Sequence, residues 1–363
     1  MRKTTTIAAL GLAGALTLSG CGMFEPKPDE VLRSAFEDVD AQKQRRTEIR
    51  TTASEEQLRS AMESADEAMS PEDRESLDRV IATLRDTTVV MDVRSTTDQT
   101  LGTLARPEDM DWGMDVKVKD SMVLQALETG DMDLFVRADL PALMRLSGSA
   151  EAPTLAEMQS QLDSIPAGME WMRTLVTGGW LGLDSTLAEQ VTQGLEEQAG
   201  VDTEGLTGEE RQQLQDALLD HSDTEKVEDG RYRMRLRVKE YVEANKDLVG
   251  KHLAAQSGEE TPDVDELLAR LNDGTLDMVY TVEDTVMRRV ETDPMQFADL
   301  MEPAADATEE ERQQLQRMRD SEMPIALDLS EDVRDFAVPD GAVRLTQQDL
   351  MMLSLMTSGA LPS

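Results

Sequence analysis

The amino-acid sequence predicts an α+β fold, a mostly antiparallel sheet accompanied by helices. Three observations carry this. Several segments alternate apolar and polar residues with period two, tight-turn dipeptides separate them, and stretches of helical period are interleaved between them.

Taken in order, residues 29–38 predict a short helix with Val31, Leu32, Ala35 and Phe36 on one face. Residues 44–52 predict a first strand, and 54–69 and 71–84 two helices. The second of these starts with Ser70 as N-cap, Pro71 at the first helical position and Asp73 as the capping-box acid. The period then falls to two. Val89, Met91 and Val93 alternate with Val90, Asp92 and Arg94, and Met114, Val116 and Val118 alternate with Asp115, Lys117 and Lys119. Met132, Leu134, Val136 and Ala138 alternate with Asp131, Asp133, Phe135 and Arg137, and Gly130-Asp131 turns this strand back onto 121–128.

A helical block is expected over 141–177, then a short strand at Trp180–Asp184 and two more helices over 185–221. The clearest strand follows the Asp229-Gly230 turn. Tyr232, Met234, Leu236 and Val238 face one way, while Arg231, Arg233, Arg235, Arg237 and Lys239 face the other, one side buried and one side wet. Helix returns over 240–272. A strand then carries Leu276, Met278, Tyr280 and Val282 on one face, with a paired segment at 285–292. After an acidic helix at 307–320 comes a strand at 323–330 with Ile325, Leu327 and Leu329 alternating. Pro339-Asp340-Gly341 makes a turn, and Thr346 caps a last apolar helix through Leu350, Met351, Leu353, Leu355 and Met356.

The first residues address the chain to a membrane surface. Arg2 and Lys3 precede an uncharged apolar stretch from Ile7 to Leu18, too short for a permanent span of about 20 residues. Leu18-Ser19-Gly20-Cys21 resembles the lipobox of bacterial lipoproteins. That resemblance implies a diacylglyceryl group on the Cys21 thiol and cleavage just before it, so residues 1–20 are expected to be a signal peptide. Cys21 is the only cysteine, so no intramolecular disulfide can form. Residues 21–30, with Pro26 and Pro28, are expected to tether residues 31–363, read as one α+β domain with helical insertions near 54–84 and 185–221. At roughly 3.3 Å per extended residue the tether holds the body within about 30 Å of the lipid. The expected location is the extracytoplasmic face of the cell membrane.

Composition narrows the partners. The net charge is −38, which excludes electrostatic binding of nucleic acid and opposes docking of the bulk surface on anionic lipid. A basic cluster, Lys43-Gln44-Arg45-Arg46, is read as a solvated run or a headgroup contact beside the tether. Aromatics are only 3% while methionines number 23, so Leu, Val, Ala and Met fill the core. The two histidines, His221 and His252, lack partner spacing, and no nucleophile elbow, metalloprotease helix, calcium loop or phosphate-cradling glycine loop occurs. No enzyme, cofactor or metal is therefore expected.

The segments DMDLFVRADLPAL (131–143), GGWLGLD (178–184), DGRYRMRLRV (229–238), DGTLDMVYTVEDTVMRRVETD (273–293) and MPIALDLSEDV (323–333) follow one another in an order that resembles actinobacterial lipoproteins of the LppX/LprG type. Their LolA-like fold implies a strongly curved antiparallel half-barrel wrapped around or capped by helices, with space between for acyl chains. The resemblance thus implies a lipoprotein that binds or carries a lipid or another apolar ligand. The inward strand positions Val116, Leu134, Val136, Met234, Leu236, Met278, Tyr280 and Leu327 would line its cavity, and would be ordinary core if the helices fill the space. The alternative is an accessory or regulatory lipoprotein whose acidic face or apolar C-terminal helix meets a protein partner.

Overall fold

The structure is a computed structural model that describes residues 26–62, 70–104, 109–129, 133–146, 157, 169–188, 207–257, 263–305 and 307–349. Leu18, Ser19, Gly20 and Cys21, the Gly130-Asp131 turn and the helix from Leu350 lie outside these residues.

Twelve strands form one curved, unclosed sheet, so the chain is α+β with a half-barrel sheet. The strands are β1 (Gln44–Thr51), β2 (Thr87–Ser95), β3 (Met110–Val118), β4 (Ser121–Glu128), β5 (Leu134–Ala138), β6 (Leu181–Leu183), β7 (Ser222–Glu228), β8 (Arg231–Arg237), β9 (Thr275–Glu283), β10 (Val286–Thr292), β11 (Ile325–Ser330) and β12 (Val343–Arg344). Their order is β12-β6-β5-β4-β3-β2-β1-β11-β10-β9-β8-β7. Two up-and-down meanders, β1 to β6 and β7 to β11, therefore meet where β1 pairs antiparallel with β11. Among the described residues only β12 on β6 is parallel.

The helices are α1 (Pro28–Ala41), α2 (Glu55–Met62), α3 (Pro71–Asp86), α4 (Leu140–Leu146), α5 (Glu170–Val176), α6 (Gly208–Asp220), α7 (Val238–Ala244), α8 (Lys246–Ser257), α9 (Val264–Arg270), α10 (Gln296–Leu300) and α11 (Glu309–Arg319). The acidic helix α11 starts with a capping box, Thr308 Oγ1 accepting from Glu311 N while the Glu311 side chain accepts from Thr308 N. Helix α6 uses the same device with Thr207 and Glu210. Lys251 adds an ion pair to Glu210, which holds that carboxyl down to about 2.

One expectation is corrected, and two elements appear that the sequence did not announce. The β8 strand stops at Arg237, because Val238 opens α7 and is buried as a helical residue. Strand β7 had no clear alternation to announce it, since SDTEKVE offers a single large apolar residue. It forms because the tight turn at Gly230, with φ 72°, folds it back onto β8. The short helix α10 was also not foreseen.

The core sits mainly on one face of the sheet. Leu32 and Ala35 of α1 pack with Leu219, Met234, Tyr280, Val282 and Met287, and Phe36 meets Tyr280 edge-on at 5.5 Å. Arg33 ties α1 to Asp216 and Asp220 of α6. A second cluster joins Leu236 to Val238 and Val242 of α7, Val264 of α9, Leu271 and Leu300. Strands β8 to β10 are thus roofed by helices, and this side is termed the helix face.

Candidate functional site

The register joins the predicted inward positions into rows across the helix face. One row runs Ala138–Leu124–Val116–Val89–Ile49–Leu327–Val290–Tyr280–Tyr232 through successive cross-strand partners. A parallel row holds Val136, Ala126, Met114 and Met91. All eight candidate positions lie on this face. Met234, Leu236 and Tyr280 are packed core under α1, α6 and α7, not cavity wall, because the helices fill the space above them. Met278 packs beside them, and Leu134 sits against Trp171, Leu183 and Leu187. Val116, Val136 and Leu327 remain partly exposed, as do Val89, Met114, Leu124 and Ile49, and Met91 is 41% exposed.

At the end of the sheet, beyond β4 and β5, lies a cavity of about 440 Å³, within the size range of small-ligand sites, which Ala138 reaches from the helix face and Arg137 from the opposite face. It opens where β5 outruns β6. Met122, Val123, Ala138, Leu140, Pro141 and Val176 supply an apolar wall; Arg137, Asp139, Thr177 and Gly178 supply the polar one. The bulge at Val116/Lys117 leaves Val123, which lines the cavity, out of ladder register. Asp139 accepts a hydrogen bond from Ala142 N and so starts α4.

The opposite face of β2 to β5 carries the polar members of the alternation and is nevertheless covered. Residues 331–342 cross it as a strap, and β12 fastens the strap's end to β6. Phe336 packs on Leu127 and the fully buried Phe135. Beneath the strap, Asp92 has no exposed surface. It accepts from Arg46 Nε at 2.7 Å and Nη2 at 3.2 Å, and from Arg334 Nε at 2.7 Å. Arg334 Nη2 stands 2.9 Å from Asp115 Oδ1, an ion contact set off the hydrogen-bonding angle. Asp115 also accepts from Gln125 Nε2 at 2.7 Å, and Gln125 Oε1 accepts from Arg137 Nε. Arg94 pairs with buried Asp111 and lies over the Phe336 ring. Three carboxylates, Asp92, Asp111 and Asp115, are thus buried on strands.

The basic cluster is likewise corrected. Lys43 pairs with Asp98, Arg46 with Asp92, and burial lowers the Arg45 pKa against the opposing pull of Asp40. Two of the three cations are therefore built into the sheet and its α1 edge, not spread as a run. On the helix face, burial pushes the Glu128 carboxyl up, opposed by a hydrogen bond from Trp112 Nε1 at 2.8 Å. The remaining strap-side surface, on β8 to β11, is a ladder of Arg233, Arg235 and Arg289 with Glu225, Asp277 and Asp328. Such exposed pairs each contribute little.

Among the described residues no group of His, Cys, Asp or Glu could hold a metal, and no helix is long and apolar enough to cross a membrane. The chain matches no protein-family model and no curated protein.

Proposed function

We propose that the protein is a membrane-anchored extracytoplasmic lipoprotein, held by a diacylglyceryl group on Cys21, that binds or carries a lipid or another apolar ligand between sheet and helices. One observation carries the reading. The helix face is packed solid over β8 to β10, yet over β1 to β5 its apolar rows are only partly covered and lead to Ala138 at the cavity. Apolar surface of that extent on a sheet is costly in water unless something covers it. The resemblance to LppX/LprG-type lipoproteins supports an acyl chain as the cover, and the lipobox at 18–21 supports work beside a bilayer.

The test replaces Val116 or Val136 by Trp and measures two quantities on each variant, the thermal midpoint and the lipid recovered by organic extraction of the purified protein. A carrier keeps a near-normal midpoint and loses lipid. A filled core loses about 1–3 kcal/mol from overpacking and holds no lipid in the wild type either. That second outcome replaces the carrier by a protein-interaction lipoprotein.

A further inference from the structure

Arg137 differs from the other arginines described in the sheet. Arg46, Arg94, Arg289 and Arg344 each have a carboxylate within ion-pair distance, as do Arg50, Arg288 and all four arginines of β8. Arg45 has the field of Asp40. Among the described residues Arg137 has no carboxylate in reach, although the chain carries a net charge of −38. Its Nε is spent on Gln125 Oε1, and its guanidinium lies over the Trp180 ring, 4.9 Å from the centroid. Its two terminal nitrogens have no hydrogen-bond partner among the described residues, and the side chain lines the cavity at the end of β5.

We propose that this cavity holds the head of a singly charged anionic amphiphile, its oxyanion on the Arg137 terminal nitrogens and its chain against Met122, Val123, Leu140, Pro141 and Val176. The inference rests on the lipid-binding reading and gives that ligand a chemical class. A planar guanidinium recognises an oxyanion through two parallel N–H donors, and does so best when its plane is fixed beforehand. Both fixtures are present. Trp180 sets the plane from one side, and Gln125 sets the rotation. Gln125 is itself held at 2.7 Å by Asp115, which Arg334 of the strap approaches at 2.9 Å. The position of the fork is thus tied through three strands to the strap. Asp139 shares the cavity wall and repels a doubly charged head more than a singly charged one, which favours the lower charge.

The test uses the lipidated full chain in phosphatidylcholine nanodiscs with three photoreactive probes of equal chain length: a fatty acid, a lysophosphatidylglycerol and a fatty alcohol. Cross-links are mapped by mass spectrometry. An anionic probe is expected to label 122–141 or 176–178 at least about tenfold more than the alcohol does. Which anionic probe labels best identifies carboxylate or phosphodiester. Arg137→Gln should bring that labelling down to the level of the alcohol. Thr177→Trp, which fills the cavity and leaves Arg137 in place, should remove it, with the unfolding temperature measured on both variants. Equal labelling by acid and alcohol, or labelling confined to β2 and β3, overturns the headgroup assignment while the carrier reading stands. Labelling of the Cys21 region alone by every probe overturns both.

Discussion

The close approach of Arg334 to Gly113 makes a sharp test of the strap. A Cβ on Gly113 would stand 2.9 Å from Arg334 Nε and 3.1 Å from its Cδ and Cζ. The backbone of Gly113 is not left-handed, so alanine is conformationally acceptable there and only the contact opposes it. The arginine cannot swing away freely, because Nε is bound to Asp92 and Nη2 faces Asp115. Arg334→Ala leaves the fully buried Asp92 with Arg46 alone and Asp115 with Gln125. Removing one partner from a buried ion network costs about 3–5 kcal/mol. Gly113→Ala should cost about 1–3 kcal/mol if Arg334 shifts within its pairs, and as much as the Arg334→Ala loss if it is expelled. With Arg334 already alanine, the same Gly113→Ala change should cost nothing, or stabilise by roughly 0.5–1 kcal/mol, because alanine loses less entropy in a strand. The pair should therefore show a coupling of at least about 1 kcal/mol in a double-mutant cycle, outside the error of additivity. Urea unfolding of the four proteins, followed by far-UV circular dichroism and by tryptophan fluorescence, measures it. Additive losses would mean that Arg334 does not lie on Gly113, and the strap would then have to be placed differently.

Phe135→Ala should destabilise by about 3–5 kcal/mol in the same urea assay, because a fully buried ring between Leu127 and Phe336 leaves a cavity; a loss under 1 kcal/mol would contradict the buried strap face. Leu236→Asp should cost at least about 3 kcal/mol, since it places a charge among Val238, Val242 and Leu300, and a soluble, fully folded variant at neutral pH would show the face assignment to be wrong. Glu128→Gln keeps an acceptor for Trp112 and removes a charge that burial disfavours. Because the folded-state pKa of Glu128 is raised, the wild type gains stability as pH falls through that carboxyl's range. The Gln variant should therefore melt higher at pH 7, and its advantage should shrink on acidification. A variant that melts lower at pH 7 and equally so at pH 4 would count against a strained carboxylate.

Most strands were legible because period two is a local property. Val89-Val90-Met91-Asp92-Val93-Arg94 and Tyr232 to Arg237 state their alternation within six residues, and Asp229-Gly230 states its turn. The common face of Val116, Leu134, Val136, Met234, Leu236, Met278, Tyr280 and Leu327 followed from that alternation alone. The sequence did not say that β1 would pair with β11, about which it holds no local signal, and that pairing is what makes one sheet of two meanders. Nor did it separate Met234 and Tyr280, sealed under α1, from Val116 and Val136, left partly open; the difference depends on which helices lie above each strand. The largest departure concerns Asp92, Asp115 and Phe135. Their alternation marked a second face correctly, but a face becomes wet or dry only by what crosses it. Here the crossing segment arrives more than 200 residues later, with Arg334 and Phe336. Asp92 takes its meaning from Arg334, 242 positions away. Periodicity is fixed by neighbours along the chain, whereas burial and charge pairing depend on neighbours in space.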